Sequence, residues 1–245
     1  MLLLETPTNP ALDIVDLEWA GRLAEHHGIV LNTDNCFATP YLQTPIKLGA
    51  HLVTHSTTKY IDGQGRTVGG AVLGRADLID EIRYFVRHTG PSMSPFNAWV
   101  ASKSLETLGV RMERHCDNAE ALASYLEARA DISWVRYPFL QSHPAYEVAK
   151  RQMRRGGGLV SFEVDGGIGR GRSFLDSLEM ISLSSNLGDT RTIATHPAST
   201  THSKLTDSER NEVGISPGLI RISVGLEHID DIISDVDHAL DESRA

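Results

Sequence analysis

The chain of 245 residues has only two cysteines, Cys36 and Cys116, and they are too far apart to form a C-x-x-C motif. This argues against a zinc ribbon or a disulfide framework, and it is typical of a protein from a reducing compartment. Long apolar runs are also lacking, because no window approaches the roughly 18 residues of a membrane span. The opening MLLLETPTNP has neither the basic flank nor the length of a signal peptide. We therefore expect a cytoplasmic protein with no membrane partner.

Positive charge is scarce as well, since 23 lysines and arginines face 32 acidic residues and the net charge is −9. No basic stripe is present, so we expect no nucleic-acid partner. Motifs for metal binding are weak, because His26 with His27 and His196 with His202 lack both H-E-x-x-H and a cysteine cluster. We predict no metal site.

Several common catalytic motifs are missing too. The stretch DGQGRTVGG, residues 62–70, lacks the G-K-[ST] ending of a P-loop, and Val68 breaks a G-x-G-x-x-G pattern. Ser56 has no G-x-S-x-G surroundings that would make it a hydrolase nucleophile. Nucleotide binding and serine hydrolysis are therefore disfavoured.

The pattern that is present predicts an α/β fold. Residues 16–28 keep a helical period, and 29–34, 51–56 and 69–74 have the composition of short strands. The opening MLLLE also has the composition of a buried strand. Such alternation is typical of a largely parallel sheet, whose ligands bind at the carboxyl ends of the strands.

Further along, helices are predicted at 75–88, 96–108, 111–129, 146–153 and 230–240, and strands at 131–138, 159–164 and 219–225. The helix at 111–129 is long enough to join two domains. We therefore expect a larger domain at 1–115 and a smaller C-terminal α/β or α+β domain at 116–245.

Three polar features carry the chemistry: Asp34 at the end of one predicted strand, a hydroxyl-rich turn with Lys59 after another, and Arg221 in a late strand. Taken singly, Lys59 and Arg221 could be solvated charges and Asp34 a turn residue. Together they match the needs of pyridoxal phosphate, whose aldehyde requires an amine, whose ring nitrogen requires an anion and whose phosphate requires donors. A forked arginine suits the carboxylate of an amino-acid substrate.

Five segments share their pattern with one known family, and they are 5-ETPTNP-10, 33-TDNCFATP-40, 55-HSTTKY-60, 195-THPASTTH-202 and 221-RISVGLE-227. Through them the chain resembles the Cys/Met-metabolism pyridoxal-phosphate enzymes. Within the family, HTGPSMSPFNAW and SNLGDTRTIATHP are most similar to O-succinylhomoserine and O-acetylhomoserine sulfhydrylases. The resemblance implies fold-type I architecture, with a large domain that lacks its N-terminal part and a smaller C-terminal domain.

The resemblance also assigns roles around the cofactor. It makes Lys59 the residue that binds the cofactor aldehyde, and Asp34 the partner of the ring nitrogen. Ser56 and Thr58 become phosphate ligands. Asn9 falls where the family's asparagine contacts the cofactor ring oxygen and the substrate.

For the substrate, the resemblance places Arg221 at the carboxylate of the amino acid. Asn186 stands where many relatives carry a serine near that carboxylate, which implies altered hydrogen bonding. Ser185 occupies a place where cystathionine-handling relatives often have a glutamate, so its presence favours sulfide over a cysteine-derived substrate.

The implied reaction is the loss of succinate or acetate from Cγ of O-succinylhomoserine or O-acetylhomoserine and the addition of sulfide in its place, which gives homocysteine. The alternatives are a γ-lyase acting on methionine or cystathionine, and an incomplete chain that is active only with another chain. Family members have an N-terminal portion with a phosphate-binding glycine loop and a tyrosine over the ring, and we expect it to be missing here. The resemblance further implies a homo-oligomer, a dimer of dimers in the complete protein.

Overall fold

The computed structural model describes residues 1–200, 203–212 and 214–244, which form two sheets flanked by helices. The strands are β1 (Leu2–Glu5), β2 (Leu31–Asp34), β3 (Leu52–Ser56), β4 (Gly70–Gly74), β5 (Ile132–Arg136), β6 (Leu159–Val164), β7 (Ser182–Leu183), β8 (Ile193–Thr195) and β9 (Leu219–Ser223). The α-helices are α1 (Leu17–His26), α2 (Thr39–Leu42), α3 (Ala76–Thr89), α4 (Pro95–Leu105), α5 (Leu108–Glu127), α6 (Tyr146–Gln152), α7 (Gly167–Asp176), α8 (Asp207–Glu212) and α9 (Ile229–Glu242).

The first sheet has the order β1-β2-β3-β4, with β1, β2 and β3 parallel and β4 antiparallel to β3. Glu5 pairs in register with Asp34, and Asp34 with Thr54. The carboxyl ends of three strands therefore meet at one edge, which confirms the predicted α/β layer and brings Asp34 beside Ser56.

Helix α1 packs against this sheet. Asp16 caps it by accepting the backbone N–H of Trp19 at 3.0 Å, and Leu17 and Ala20 are fully buried. A Cβ on Gly21 would lie 2.8 Å from the carbonyl oxygen of Leu48. Glycine therefore allows the helix to lie close to the turn that precedes β3.

The second sheet has the order β5-β6-β9-β8-β7, and α5, α7 and α9 cover one of its faces. Strand alternation directs Ile220 and Ile222 into that core. Arg221, between them, points to the other face and meets Asn9 of the first sheet's loop. The central strand of the second sheet, β9, thus places the guanidinium of Arg221 beside the loop that follows β1 of the first sheet.

Helix α5 changes its packing partners along its length. Leu108 and Cys116 belong to a core shared with Phe37, whereas Leu122 and Leu126 belong to the core of the second sheet. The division of the domains near residues 115 and 116, inside α5, stays a proposal, because the core of Leu108 and Cys116 also includes Met153 and Leu159.

Three differences from the sequence prediction stand out. The MLLLE segment is a strand but lies at an edge of the described sheet, where Leu3 is 62% exposed rather than buried. The two central helices begin and end a few residues earlier than expected, at 95–105 and 108–127. Helix α7 was not predicted, because its three glycines disfavour a helix, but Phe174 and Leu175 anchor it in the core.

Within the described residues, no helix combines the length and apolar character needed to cross a membrane. Nor does any group of three metal-ligating side chains in that part of the chain come together as a metal site. His202 lies outside the described residues, so the predicted segment 195–202 is seen only as far as residue 200.

Candidate active site

Lys59 lies in a tight turn, Thr57–Ile61, that directly follows β3. Its own backbone is not helical, with φ −92° and ψ −137°, although the residues around it are wound as a helix. Gly188 packs against this turn: a Cβ there would lie 2.6 Å from the backbone nitrogen of Tyr60, and its φ of +77° also favours glycine. The loop after β7 is therefore held against the lysine.

The amine of Lys59 donates a hydrogen bond to Oδ1 of Asn186, with the two atoms 2.5 Å apart. Burial lowers the pKa of Lys59, and the nearby guanidinium of Arg221 lowers it further. The site thus makes the neutral amine, the form that can act as a nucleophile or a base, more accessible than in a solvated lysine.

Arg221 is only 3% exposed, which excludes the alternative that it is a surface charge. Its Nη1 donates to Oδ1 of Asn9 at 2.7 Å, and its Nη2 donates to the carbonyl oxygens of Ser185 at 3.1 Å and Asn186 at 3.0 Å. Burial lowers its pKa to about 10, so it stays charged at neutral pH. Its Nε is buried without a partner among the described residues. A buried cation with an unused donor is suited to an anionic ligand.

Asp34 ends β2, as predicted, and Cys36 connects it to the Lys59 turn. Oδ1 of Asp34 accepts the backbone N–H of Cys36 at 3.0 Å, and Sγ of Cys36 accepts the backbone N–H of Ser56 at 2.7 Å. Burial raises the pKa of Cys36 to about 12, with Asp34 adding to the shift. The thiol is therefore protonated and fixes the spacing between the carboxylate and Ser56.

The sequence reasoning did not select Cys36 or Glu5. Oε2 of Glu5 accepts the backbone N–H of Asn9 at 2.9 Å, so Glu5 shapes the loop that offers Asn9 to Arg221. Burial raises the pKa of Glu5, the neighbouring Asp34 adds to this, and Arg221 opposes it. The available signal was its position as the last residue of a strand, beside Asp34.

The two predicted phosphate ligands differ in their surroundings. Ser56 is half-buried at the carboxyl end of β3. The hydroxyl of Thr58 is already engaged, since it accepts the N–H of Gly69 at 3.1 Å and lies 3.3 Å from the carbonyl oxygen of the same residue. The phosphate role of both stays a prediction.

The structure thus brings together an amine of lowered pKa, a carboxylate at a strand end and a guanidinium with an unused buried donor. This donor set fits pyridoxal phosphate with an amino acid beside it, and defines the chain as having the site of a pyridoxal-phosphate enzyme. The family profile of the Cys/Met metabolism PLP-dependent enzymes matches residues 1–241. The chain belongs to this family, which uses pyridoxal 5'-phosphate.

Several known proteins are similar to the chain. It is 47% identical to an O-succinylhomoserine sulfhydrylase of Pseudomonas aeruginosa, over 98% of this chain and 60% of that protein. It is 44% identical to an L-methionine gamma-lyase of Pseudomonas putida, over 99% and 62%. A crystal structure of cystathionine gamma synthase from Xanthomonas oryzae pv. oryzae in complex with cystathionine superposes with a TM-score of 0.95 and 39% identity, over 99% and 63%.

These comparisons confirm the predicted family, its cofactor and the fold-type I α/β architecture. The chain spans about 60% of the length of the curated relatives it matches. Because the relatives carry different reaction names, the similarity leaves the reaction to be proposed.

Proposed function

We propose that the protein replaces the acyloxy group of O-succinylhomoserine or O-acetylhomoserine with sulfide, which forms homocysteine and releases succinate or acetate. The observation that carries this proposal is the continuous hydrogen-bonded path from the Lys59 amine through Asn186 to Arg221 and Asn9. This path places Lys59, the proposed base, next to Arg221, the proposed binding group for the substrate carboxylate. The similarity to curated O-succinylhomoserine sulfhydrylases, at 46–47% identity, supports this substrate class.

In this proposal Lys59 would bind the cofactor aldehyde, Asp34 would face its ring nitrogen, and Ser56 with Thr58 would hold its phosphate. When bound, pyridoxal phosphate supplies an electron sink for negative charge at the carbon next to the amino group. The carboxylate of Asp34 would keep the ring nitrogen protonated, which that role requires.

The chain's residues would then divide the remaining work. Arg221 and Asn186 would orient the substrate through its carboxylate, since the hydrogen bonds of Arg221 to Asn9, Ser185 and Asn186 leave its charge without a carboxylate partner among the described residues. Lys59, released from the cofactor aldehyde when the substrate amine takes its place, would as a neutral amine take the proton from Cα and move protons at Cβ while succinate or acetate leaves Cγ. Ser185 places no acidic group nearby to attract a cationic second amino acid, which favours sulfide as the incoming nucleophile.

A γ-lyase is the second candidate, because curated L-methionine gamma-lyases are 44–45% identical to the chain. In that case no sulfide is added, and methionine or cystathionine gives 2-oxobutanoate, ammonia and the thiol that leaves Cγ, which is methanethiol or cysteine. A third candidate is a chain that is active only together with another polypeptide.

Cofactor binding can be tested on the chain itself. Adding pyridoxal phosphate should produce a visible absorbance band, and borohydride should fix the cofactor on the peptide that contains Lys59. Lys59→Ala should lose both signals, whereas Lys47→Ala, at an exposed lysine, should keep them. A band of equal strength in Lys59→Ala would refute the assignment.

The reaction is tested by incubating the cofactor-loaded protein with each homoserine ester, with and without sulfide. Homocysteine formed only with sulfide supports replacement, and 2-oxobutanoate formed equally under both conditions supports the lyase. A trapped cofactor without either product would support a chain that needs a partner.

A further inference from the structure

Arg111, on the first half of α5, contacts the backbone just after Lys59. Its Nη1 donates to the carbonyl oxygen of Tyr60 at 2.6 Å and its Nη2 to that of Ile61 at 3.2 Å. Nη2 also donates to the carbonyl oxygen of Ser104 at 3.0 Å, and Nε to the hydroxyl of Thr107 at 3.2 Å. One side chain therefore links α4 and α5 to the Lys59 turn.

The placement of this charge is unusual. Arg111 is only 6% exposed, and its hydrogen-bond acceptors are carbonyl and hydroxyl oxygens rather than carboxylates. Asp62, whose charge acts on Arg111 from a distance, is paired with Arg66 at 2.9 Å. Burying a cation without a hydrogen-bonded counterion is costly, and apolar residues often pack such a site at least as well. Packing alone does not account for an arginine here.

The Lys59 turn also depends on hydrogen bonds from residues outside it. The backbone of Lys59 interrupts the helical winding, so the turn is not fixed by a regular ladder of helical hydrogen bonds. Arg111 donates hydrogen bonds to the carbonyl groups of the next two residues, Tyr60 and Ile61. Gly63 makes room for it, since a Cβ there would lie 2.3 Å from Nη1.

We propose that Arg111 is a positioning residue for Lys59, which holds the turn so that the amine stays beside Asn186 and Arg221. It acts through the backbone, because its guanidinium contacts the carbonyl groups and not the amine. The inference rests on the proposed role of Lys59 as the cofactor-binding base.

The test measures the titration of the Lys59 amine in the full chain without cofactor, by competitive acetylation at a series of pH values and peptide mass analysis. In Arg111→Met and Arg111→Lys, we expect the midpoint for Lys59 to rise toward that of an ordinary lysine, because the amine leaves its buried position. Trapping of pyridoxal phosphate by borohydride should fall several-fold in the same variants.

Arg129→Met is the matched control. Arg129, just beyond the other end of α5, pairs with Asp131 at 2.9 Å and Asp241 at 3.0 Å, so its loss should also lower the melting temperature. It should leave the Lys59 midpoint unchanged. If both Arg111 variants lower the melting temperature and leave that midpoint unchanged, Arg111 is merely structural and the proposal fails.

If Arg111→Met does not fold, Thr107→Val removes the acceptor of Nε and should raise the midpoint less but in the same direction. No change in a folded Thr107→Val or Arg111→Lys overturns the proposal. Failure of Lys59 to trap cofactor in the unaltered chain would instead refute the proposed function, while the titration still reports on Arg111.

Discussion

Lys59 combines a charged group with a half-buried position, and this should appear in the pH dependence of stability. Its pKa is lowered in the folded chain from about 10.5, so the unfolded chain binds more protons between the two values. Stability therefore rises with pH in that window. Lys59→Met removes the penalty, and its free energy of unfolding relative to the unaltered chain should be highest near neutral pH and decrease as pH approaches 10.5.

Urea unfolding at a series of pH values measures this difference. Lys47→Met, at an exposed lysine, is the control and should show no such trend. A difference between Lys59→Met and the unaltered chain that stays constant with pH would contradict the buried-amine interpretation.

Cys36 should be an unreactive thiol despite its place in the site. Because its pKa is about 12, the thiolate fraction at mildly alkaline pH is roughly 10³-fold smaller than for a free cysteine. Alkylation by iodoacetamide, followed by peptide mapping, should be slower in the folded chain by a similar factor than in urea. Equal rates in the two states would show that Cys36 does not lie between Asp34 and Ser56 as described.

The residues found from sequence and those missed differ in a physical way. Asp34, Lys59 and Arg221 were predicted because their own chemical groups match the cofactor and substrate. Cys36 and Glu5 act through backbone N–H groups of Ser56 and Asn9, and such contacts depend on a register that no local pattern reveals. Reactive groups can therefore be identified from the sequence more readily than the residues that position them.

At the scale of elements, Asp131 links three of the helices that cover the second sheet. It accepts hydrogen bonds from Arg129 at 2.9 Å, Arg170 at 2.7 Å and Arg244 at 2.9 Å, which follow α5, lie in α7 and follow α9. These arginines hold the pKa of Asp131 well below its usual range, against the opposing effect of burial.

Asp131→Asn should lower the free energy of unfolding by about 2 kcal/mol near neutral pH, because hydrogen bonds to a charged acceptor are lost. The native carboxylate has a lowered pKa, so its contribution is present above the unfolded value of about 3.8 and is lost as pH falls below it. The deficit of Asp131→Asn should shrink over that range in urea titrations. Asp80→Asn, in an exposed pair with Arg83, should change stability little at any pH.

Elements with strong apolar periodicity were predicted well, and those stabilised only by tertiary contacts were not. The predicted helix at 146–153 and the strand at 159–164 agree closely with α6 and β6. Helix α7 and the two-residue strand β7 lack a local signal, and both are held by other elements, since α7 packs against α9 and β7 pairs with β8.

For the whole molecule, exposed apolar side chains are concentrated on β4, α3 and α4, which we call the β4–α4 face. Helix α3 has no buried residue although one side of it is apolar. Leu73, Phe85, Phe96 and Trp99 are all more than half exposed. The second edge of β4 pairs with no strand among the described residues. Large apolar patches and free strand edges promote association.

We therefore predict that the chain associates through the β4–α4 face, in line with the homo-oligomer expected from the resemblance. Sedimentation velocity over the micromolar range should give a mass that rises above the 26.8 kDa of one chain. The double variant Phe85→Lys with Trp99→Lys should shift the distribution toward the monomer, because it places charge where apolar contact is needed. Trp19→Lys, an equally large change at an exposed tryptophan on α1, should associate like the unaltered chain. If the unaltered chain stays monomeric throughout, or if both variants dissociate equally, the exposed face does not drive the assembly.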